Sequence, residues 1–280
     1  MRRTIILAGL ALGLVAFGTA FASSAKADSI GPIGFEPTEG YVVGAINGQM
    51  GWTKLNPAFD VKVAPVSAYP DASAYHFDDQ ALRLSDAFTT QSFGDQTFSP
   101  GLTQPAGEAP LKTRFTGTFW IGTTQKTLQT SLHTSVSPDN GSGARMSYLR
   151  FEDQADGVHV FFDDVTNPGP VGHASTFTDT DIATLSRTRA HSIRFGITFK
   201  TGPGNDVVRI YIDGVLATTG TTWEDYYRYD AEQTPQGNQV PTIDKLLFRM
   251  SAAAAPATAV SGGFLVDRVT LDSSGLNIRK

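Results

Sequence analysis

Four segments of the chain alternate apolar residues with polar or charged ones, and the polar positions could bind or transform a sugar. In the segment 145–152, Leu149 and Phe151 alternate with Tyr148, Arg150 and Glu152. Because successive side chains of a β-strand point to opposite faces, each such segment has one apolar and one polar face. A sugar site needs groups that bind hydroxyls and rings on which the apolar face of a sugar can lie. The candidate ligand-binding residues on the polar faces are Gln129, His133, Tyr148, Arg150, His159 and Phe161.

A dense aromatic segment follows at 223–230, in a predicted loop, where Trp223, Tyr226, Tyr227 and Tyr229 stand among charged residues. Flat amphipathic rings at this density are typical of recognition surfaces. Trp223 and Tyr227 are therefore further candidate ligand-binding residues. A structural explanation stays open in both cases. Charged residues also occupy the solvated side of an antiparallel sheet, and rings also cover the edge of a core.

Two carboxylates, Glu152 and Asp163, are the candidate catalytic residues if the chain is an enzyme. They could lie on adjacent strands of one sheet face, at the separation of about 5–10 Å that glycoside hydrolysis uses. A polysaccharide lyase would instead use the Gln, His, Tyr and Arg types of the same face. The sequence contains no Gly-x-Ser-x-Gly elbow, no glycine-rich phosphate loop and no His-Glu-x-x-His motif. Binding without catalysis is therefore favoured, and a glycoside hydrolase or lyase is the alternative.

The first 27 residues have the features of a secretory signal peptide. Two arginines precede an apolar run over 5–21, and Ala25-Lys26-Ala27 has the small-x-small form of a cleavage site. We expect the protein to be secreted, to the periplasm or outside the cell, with no membrane contact after cleavage. Residues 28–280 are expected to form one domain, since large all-β domains reach this size.

The rest of the chain is a succession of short alternating runs between clusters of Gly, Pro, Asn and Asp. This pattern predicts about a dozen strands and an all-β fold, a two-sheet antiparallel β-sandwich of the jelly-roll kind. The clearest strands are predicted near 114–121, 127–135, 145–152, 157–165, 191–199, 207–215, 243–250 and 263–271, and weaker ones near 34–36, 41–43, 61–66 and 81–84. A short helix or turn is predicted near 179–185.

Composition excludes several functions. The formal net charge is −5, which argues against binding to nucleic acid. The chain has no cysteine, so neither disulfides nor thiolate metal sites exist, and the absence of cysteine in a secreted protein suggests a bacterial source. The strands nearest the two ends carry Glu36 and Asp267. Chain ends tend to lie close together, and calcium takes oxygen ligands in flexible number, so the two carboxylates are the candidate metal ligands.

Four short motifs resemble the concanavalin A-like lectin/glucanase superfamily. They are Gly34–Glu36, Gly48–Trp52, the Tyr-Ile-Asp-Gly hairpin within Val208–Val215, and Phe264–Val269. The hairpin is similar to that of laminin-G-like members, and the opening and closing strands are similar to those of jelly-roll carbohydrate-binding modules. The resemblance implies a structural Ca²⁺ that bridges Glu36 and Asp267. Because this superfamily holds lectins, binding modules, glycosidases and lyases, the resemblance implies a fold more closely than a function.

The leading hypothesis is a secreted, non-catalytic, lectin-like protein that binds a polysaccharide or glycan in a polar and aromatic groove on a sheet. The first alternative is a polysaccharide-degrading enzyme of the same fold. The second is a structural or adhesive surface protein without a sugar ligand, which would expose a large aromatic patch.

Overall fold

The computed structural model describes residues 28–56, 60–85, 95–108, 110–128, 132–250 and 262–275. The predicted signal peptide and Gln129 lie outside these residues. Sixteen strands are present in the described ranges, together with one short α-helix. Within these ranges, no helix combines the length and the apolar character needed to cross a membrane.

In chain order the elements are β1 (Asp28–Ile33), β2 (Gly44–Ala45), β3 (Thr53–Lys54), β4 (Val61–Pro65), β5 (Gln80–Leu84), β6 (Asp95–Phe98), β7 (Arg114–Thr123), β8 (His133–Asp139), β9 (Leu149–Gln154), β10 (Gly157–Thr166), β11 (Thr176–Leu185), β12 (His191–Thr198), β13 (Val207–Ile212), β14 (Val215–Gly220), α1 (Glu224–Tyr229), β15 (Lys245–Met250) and β16 (Phe264–Ser274). Short 3-10 helices cover Pro37–Glu39, Val66–Ala68, Pro70–Tyr75 and Ala231–Gln236.

The strands form two antiparallel sheets. One has nine strands in the order β14-β13-β12-β7-β16-β5-β4-β2, with β1 paired to β16 beside this path. The other has seven strands in the order β11-β10-β9-β8-β15-β6-β3. The predicted fold, an all-β two-sheet antiparallel sandwich, is confirmed.

A line of aromatic rings joins the two sheets through the core. Trp52 packs against Phe248 with ring centroids 5.7 Å apart, and Phe248 packs against Phe119 at 5.8 Å. Phe119 also meets Phe151 edge to face at 6.2 Å. Phe119 comes from the nine-stranded sheet and Phe151 and Phe248 from the seven-stranded one, so these contacts hold the sheets together.

Alternation predicted the central strands well and the peripheral ones less well. Along β10, Val158, Val160 and Phe162 are buried, and His159 and Phe161 are half-buried, as the alternation requires. The short helix or turn predicted near 179–185 is wrong, because β11 runs through that range. Most of β11 is exposed at the edge of its sheet. Its threonines favour a strand. Neither face of the strand is apolar, however, so alternation does not reveal it.

Three further predictions about elements need correction. The strand predicted near 41–43 is absent, and β2 begins only at Gly44. The opening strand covers residues 28–33 and ends before the predicted range 34–36, because its pairing with β16 stops at Ile33 opposite Val269. Phe35 follows in a left-handed conformation, with φ of 61°. The segment 223–230, expected to be a loop, contains α1.

Candidate functional site

The polar face predicted from alternation is the outer face of the seven-stranded sheet. Its residues lie in rows across β9 and β10. Glu152 pairs with His159, and Arg150 pairs with Phe161. One row further on, the backbone N–H of Asp163 donates to the carbonyl of Tyr148. The face thus runs as a continuous strip from the Glu152 row to the Tyr148 row.

Arg150 is the best-connected residue of this strip. Its guanidinium forms ion pairs with Glu152 and Asp179 and lies 4.3 Å from the ring centroid of Phe161. His159 stacks beside the same ring, with centroids 6.2 Å apart. Both neighbours partly cover Phe161, so only part of its side chain is open to a ligand.

The pKa values of the two histidines of the strip are shifted in opposite directions. His159 contacts Asp181 through Nδ1 at 2.6 Å and Asp156 through Nε2 at 2.8 Å. These hydrogen bonds raise the pKa of His159 above its ordinary value. Burial, followed by the charge of Arg150, lowers the pKa of His133 instead. His133 is therefore a neutral imidazole at pH 7, with its Nδ1 3.9 Å from a carboxylate oxygen of Glu152.

The candidate catalytic pair, Glu152 and Asp163, lies on one face but in different rows. Four residues along a strand separate these rows by about 13 Å. The row of Arg150 and Phe161 lies between them. Asp163 instead stands directly opposite Asp179 on β11. Burial, followed by the hydrogen bond and charge of Asp179, raises the pKa of Asp163 above its usual range.

The aromatic residues around α1 form a cluster at the end of the strip. Trp223 stacks on Tyr148, with centroids 6.0 Å apart and planes at 26°, and its Nε1–H donates to the carbonyl of Asp163. Tyr226 meets Trp223 and Tyr227 edge to face. Trp223, Tyr148 and Tyr227 are buried, whereas Tyr226 is half-buried. This burial agrees with the structural explanation, in which some of these rings cover the edge of the core.

A cavity of about 380 Å³ opens beside this aromatic cluster. Arg145 lies beside it, with its guanidinium carbon 5.7 Å from the Tyr148 ring and 5.9 Å from the Trp223 ring. None of the described residues that line the cavity is acidic. We call it the α1 cavity, and its lining residues are Ser142, Gly143, Ala144, Arg145, Trp223, Tyr226, Tyr227, Gln233 and Gln236.

Two buried carboxylates fix the start of α1. Glu224 accepts hydrogen bonds from the backbone N–H groups of Asn205 and Asp206. Asp206 accepts from the backbone N–H of Lys200 at 2.7 Å and from the hydroxyl of Thr222 at 2.9 Å. Burial raises the pKa of Asp206 to about 6 and that of Glu224 to about 7. The loop before β13 therefore holds α1, and with it Trp223, in place.

These raised pKa values predict that the protein loses stability as the pH rises. Between about pH 4.5 and 7, the folded state keeps protons that the unfolded state has released, so the free energy of unfolding falls over this window and levels off above it. We expect a loss of about 2 kcal/mol from Glu224. Urea denaturation at pH 5 and pH 8 measures it. In Glu224→Gln this part of the pH dependence should vanish, and an unchanged pH dependence would contradict the assignment.

The side chains of the candidate metal ligands, Glu36 and Asp267, both pass close to Gly34. A Cβ placed on Gly34 would lie 3.7 Å from Asp267 Oδ1 and 3.7 Å from Glu36 Cγ. The Asp267 side chain is fully buried, and its Oδ2 accepts no hydrogen bond, since Arg268 Nε is 3.8 Å away. Burial raises the pKa of Asp267 to about 7. A buried carboxylate oxygen without a donor fits a hard cation.

No set of three or more His, Asp or Glu side chains within the described ranges is spaced to hold a metal ion. A cation held by Glu36 and Asp267 would therefore take its other ligands from backbone carbonyls, which calcium accepts. The donor chemistry of the two carboxylates agrees with calcium rather than with metals that prefer nitrogen or sulfur.

Sequence reasoning did not select several residues of the α1 cavity, namely Arg145, Gln233 and Gln236. Arg145 immediately precedes the alternating part of its segment, and the glutamines follow α1 in a 3-10 helix. Neither place has a periodicity that could reveal a site. Phe177, whose ring centroid lies 5.2 Å from that of Trp223, lies on β11, where the sequence predicts no strand.

No protein-family model matches the chain, and no curated protein matches it. Among solved structures, an endo-β-1,4-glucuronan lyase from the fungus Trichoderma reesei is 11% identical, with 90% of this chain and 94% of that chain covered and a TM-score of 0.42. The CBM2 module of the evolved Dit of Lactobacillus casei BL23 phage J-1 is 12% identical, with coverages of 91% and 98% and a TM-score of 0.44. A sialidase is 10% identical over 79% of this chain, which spans only 17% of the sialidase, with a TM-score of 0.44. Structural similarities at these sequence identities concern the fold alone.

Proposed function

We propose that the chain is a secreted glycan-binding protein whose ligand occupies the α1 cavity. The observation that carries this proposal is the composition of the cavity, which combines the partly exposed side chain of Tyr226 with Arg145 and two glutamine amides. Rings offer a surface for the apolar face of a sugar, and amides and guanidinium groups bind its hydroxyls.

From the cavity, the proposed groove continues along the strip on the outer face of the seven-stranded sheet. Tyr148 joins the two, because its ring stacks on Trp223 and its backbone bonds to Asp163 on the strip. Arg150, His159 and the open part of Phe161 would then contact a longer chain of sugars, with His133 and Glu152 at the far end. Arg150 keeps donor capacity for a sugar hydroxyl, since a guanidinium carries five N–H groups.

Binding by Tyr226 is tested with a glycan array followed by titration of the best ligand. Tyr226→Ala is expected to weaken binding about tenfold or more, because it removes the accessible ring. Tyr226→Phe keeps the ring and loses only the hydroxyl that donates to Glu232, so it should bind like the wild type. Tyr229→Ala is the matched control, since Tyr229 lies on the same helix outside the cavity.

Arg150→Ala extends the test to the strip and should weaken binding of long glycans more than that of short ones. Equal binding by the wild type and Tyr226→Ala would overturn the cavity assignment. Absence of binding to every glycan on the array would instead favour a structural or adhesive role.

A second candidate function, cleavage of a polysaccharide, is favoured by the state of Asp163. A carboxylic acid that keeps its proton near neutral pH can act as a general acid, and Asp163 faces Asp179 on the exposed sheet surface. Release of new reducing ends, or of unsaturated products, during incubation with the bound glycan would support this function. Loss of that release in Asp163→Asn would assign the role.

A further inference from the structure

A second cavity lies on the outer face of the nine-stranded sheet. Its volume is about 390 Å³. Strands β7, β12, β13 and β16 supply its walls, and it shares no lining residue with the α1 cavity. We call it the arginine cavity, and its lining residues are Arg114, Phe115, Thr116, Arg194, Gly196, Ile197, Thr198, Arg209, Tyr211 and Ser274.

The floor of the arginine cavity exists because Gly196 has no side chain. Gly196 stands directly between Thr116 on β7 and Arg209 on β13. Arg194 is two residues earlier on the same face, and its guanidinium carbon lies 3.8 Å from the ring centroid of Tyr211. The larger side chains around Gly196 therefore enclose a hollow in an otherwise continuous sheet surface.

The three arginines of the cavity are exposed and have no acidic partner among the described residues. Arg114, Arg194 and Arg209 form no ion pair with any carboxylate in the described part of the chain, and no described lining residue is acidic. The nearest carboxylate along the row of Gly196 is Asp272, which lies beyond Thr116. The chain as a whole carries a formal net charge of −5. A concentration of unpaired positive charge on an acidic protein attracts an anion.

Other arginines of the molecule contrast with these three. Arg150, Arg187, Arg189 and Arg228 each form an ion pair with an aspartate or glutamate. The arginine cavity is thus a place where guanidinium groups converge on open space rather than on a carboxylate of the same chain. Guanidinium groups bind carboxylate, sulfate and phosphate through paired N–H donors.

We propose that the arginine cavity binds the carboxylate or sulfate group of an acidic saccharide. The guanidinium groups would hold the charged group above Gly196, and the hydroxyls of Thr116, Thr198 and Ser274 would meet the hydroxyls of the sugar. The proposal is independent of the α1 cavity, since the two cavities share no lining residue. The hydroxyl groups of the wall favour a saccharide over a free inorganic anion as the ligand, because an inorganic anion would need only the guanidinium groups.

The test is a calorimetric titration of the full protein with tetragalacturonate, a heparin-derived tetrasaccharide, cellotetraose and inorganic sulfate. We expect one or both acidic tetrasaccharides to bind, more weakly as salt concentration rises. Arg209→Gln and Arg114→Gln should each weaken that binding about tenfold, because each removes a charged hydrogen-bond donor. Lys126→Gln is the control of equal charge change, since Lys126 pairs with Asp71 elsewhere on the surface.

Gly196→Val is the most specific variant, because its side chain fills the hollow above residue 196 without removing a charge. A Cβ at this position would lie 3.8 Å from the Arg209 carbonyl and 4.0 Å from Tyr211 Cε2, which are ordinary contacts. Valine also suits a strand. We therefore expect Gly196→Val to keep the thermal stability of the wild type and to lose acidic saccharide binding at least tenfold.

Three outcomes would overturn the proposal: unchanged binding of the acidic tetrasaccharides by Gly196→Val, equal affinity for cellotetraose, or equal affinity for inorganic sulfate. Tyr226→Ala separates the two cavities. It should bind acidic saccharides at the arginine cavity as the wild type does, even if the α1 cavity has no ligand.

Discussion

Trp223→Ala is expected to lower the free energy of unfolding by about 3–5 kcal/mol and to remove glycan binding at the α1 cavity. The indole is buried and packs against three rings, those of Tyr148, Phe177 and Tyr226. Its Nε1–H also donates to the Asp163 carbonyl at 3.0 Å. Alanine would leave a void where β10, β11 and α1 meet, and the cavity wall would lose its shape.

Urea denaturation and glycan titration of the same preparations measure these two effects. Trp223→Phe is the matched control, because phenylalanine keeps most of the packing and loses the hydrogen bond. It should cost about 1–3 kcal/mol and retain measurable binding. A Trp223→Ala variant that binds glycan as tightly as the wild type would show that the ligand lies elsewhere.

Calcium is expected to stabilise the protein through Glu36 and Asp267. At a calcium concentration a hundred times its Kd, the gain is about 2.7 kcal/mol. In a domain of this size such a gain raises Tm by roughly 5–10 °C. Differential scanning calorimetry of protein treated with a chelator, before and after addition of calcium, measures the shift.

Asp267→Asn should lose most of this shift, because an amide is a weaker ligand for calcium than a carboxylate. Asp272→Asn is the matched control, since Asp272 lies on the same strand outside the candidate metal site and is half-exposed. Persistence of the full shift in Asp267→Asn, or its absence in the wild type, would exclude this pair as the metal site.

The sequence predicts the central part of this fold because its buried strands alternate strictly. In β7, Phe115, Phe119 and Ile121 are buried on one face of a ten-residue strand, and the same rule located β10 and β12. The rule fails at β11, where both faces are largely exposed. It also fails where a backbone bulge moves a residue, as between Asp267 and Thr270 in the register of β16 with β7.

The candidate sites could be predicted only in part, since alternation identifies the face of a residue and not its neighbours. It placed Arg150 and Phe161 on one face correctly, but it could not show that the guanidinium covers the ring. It gave no sign of the arginine cavity, which depends on one glycine between residues of two other strands. Such a hollow depends on which residues stand opposite one another on neighbouring strands. This register is set by contacts between residues that are distant in sequence.

The position of β16 has a consequence for the order in which the chain can fold. This last strand lies inside the nine-stranded sheet, with β7 on one side and both β5 and β1 on the other. Asp28 of β1 finds its partner only at Ser273. Contacts of such long range slow folding, and a growing chain lacks the strand that both halves of the sheet share. The sheet therefore closes only after synthesis has reached residue 274, and until then the strands on either side of β16 lack the partner they share.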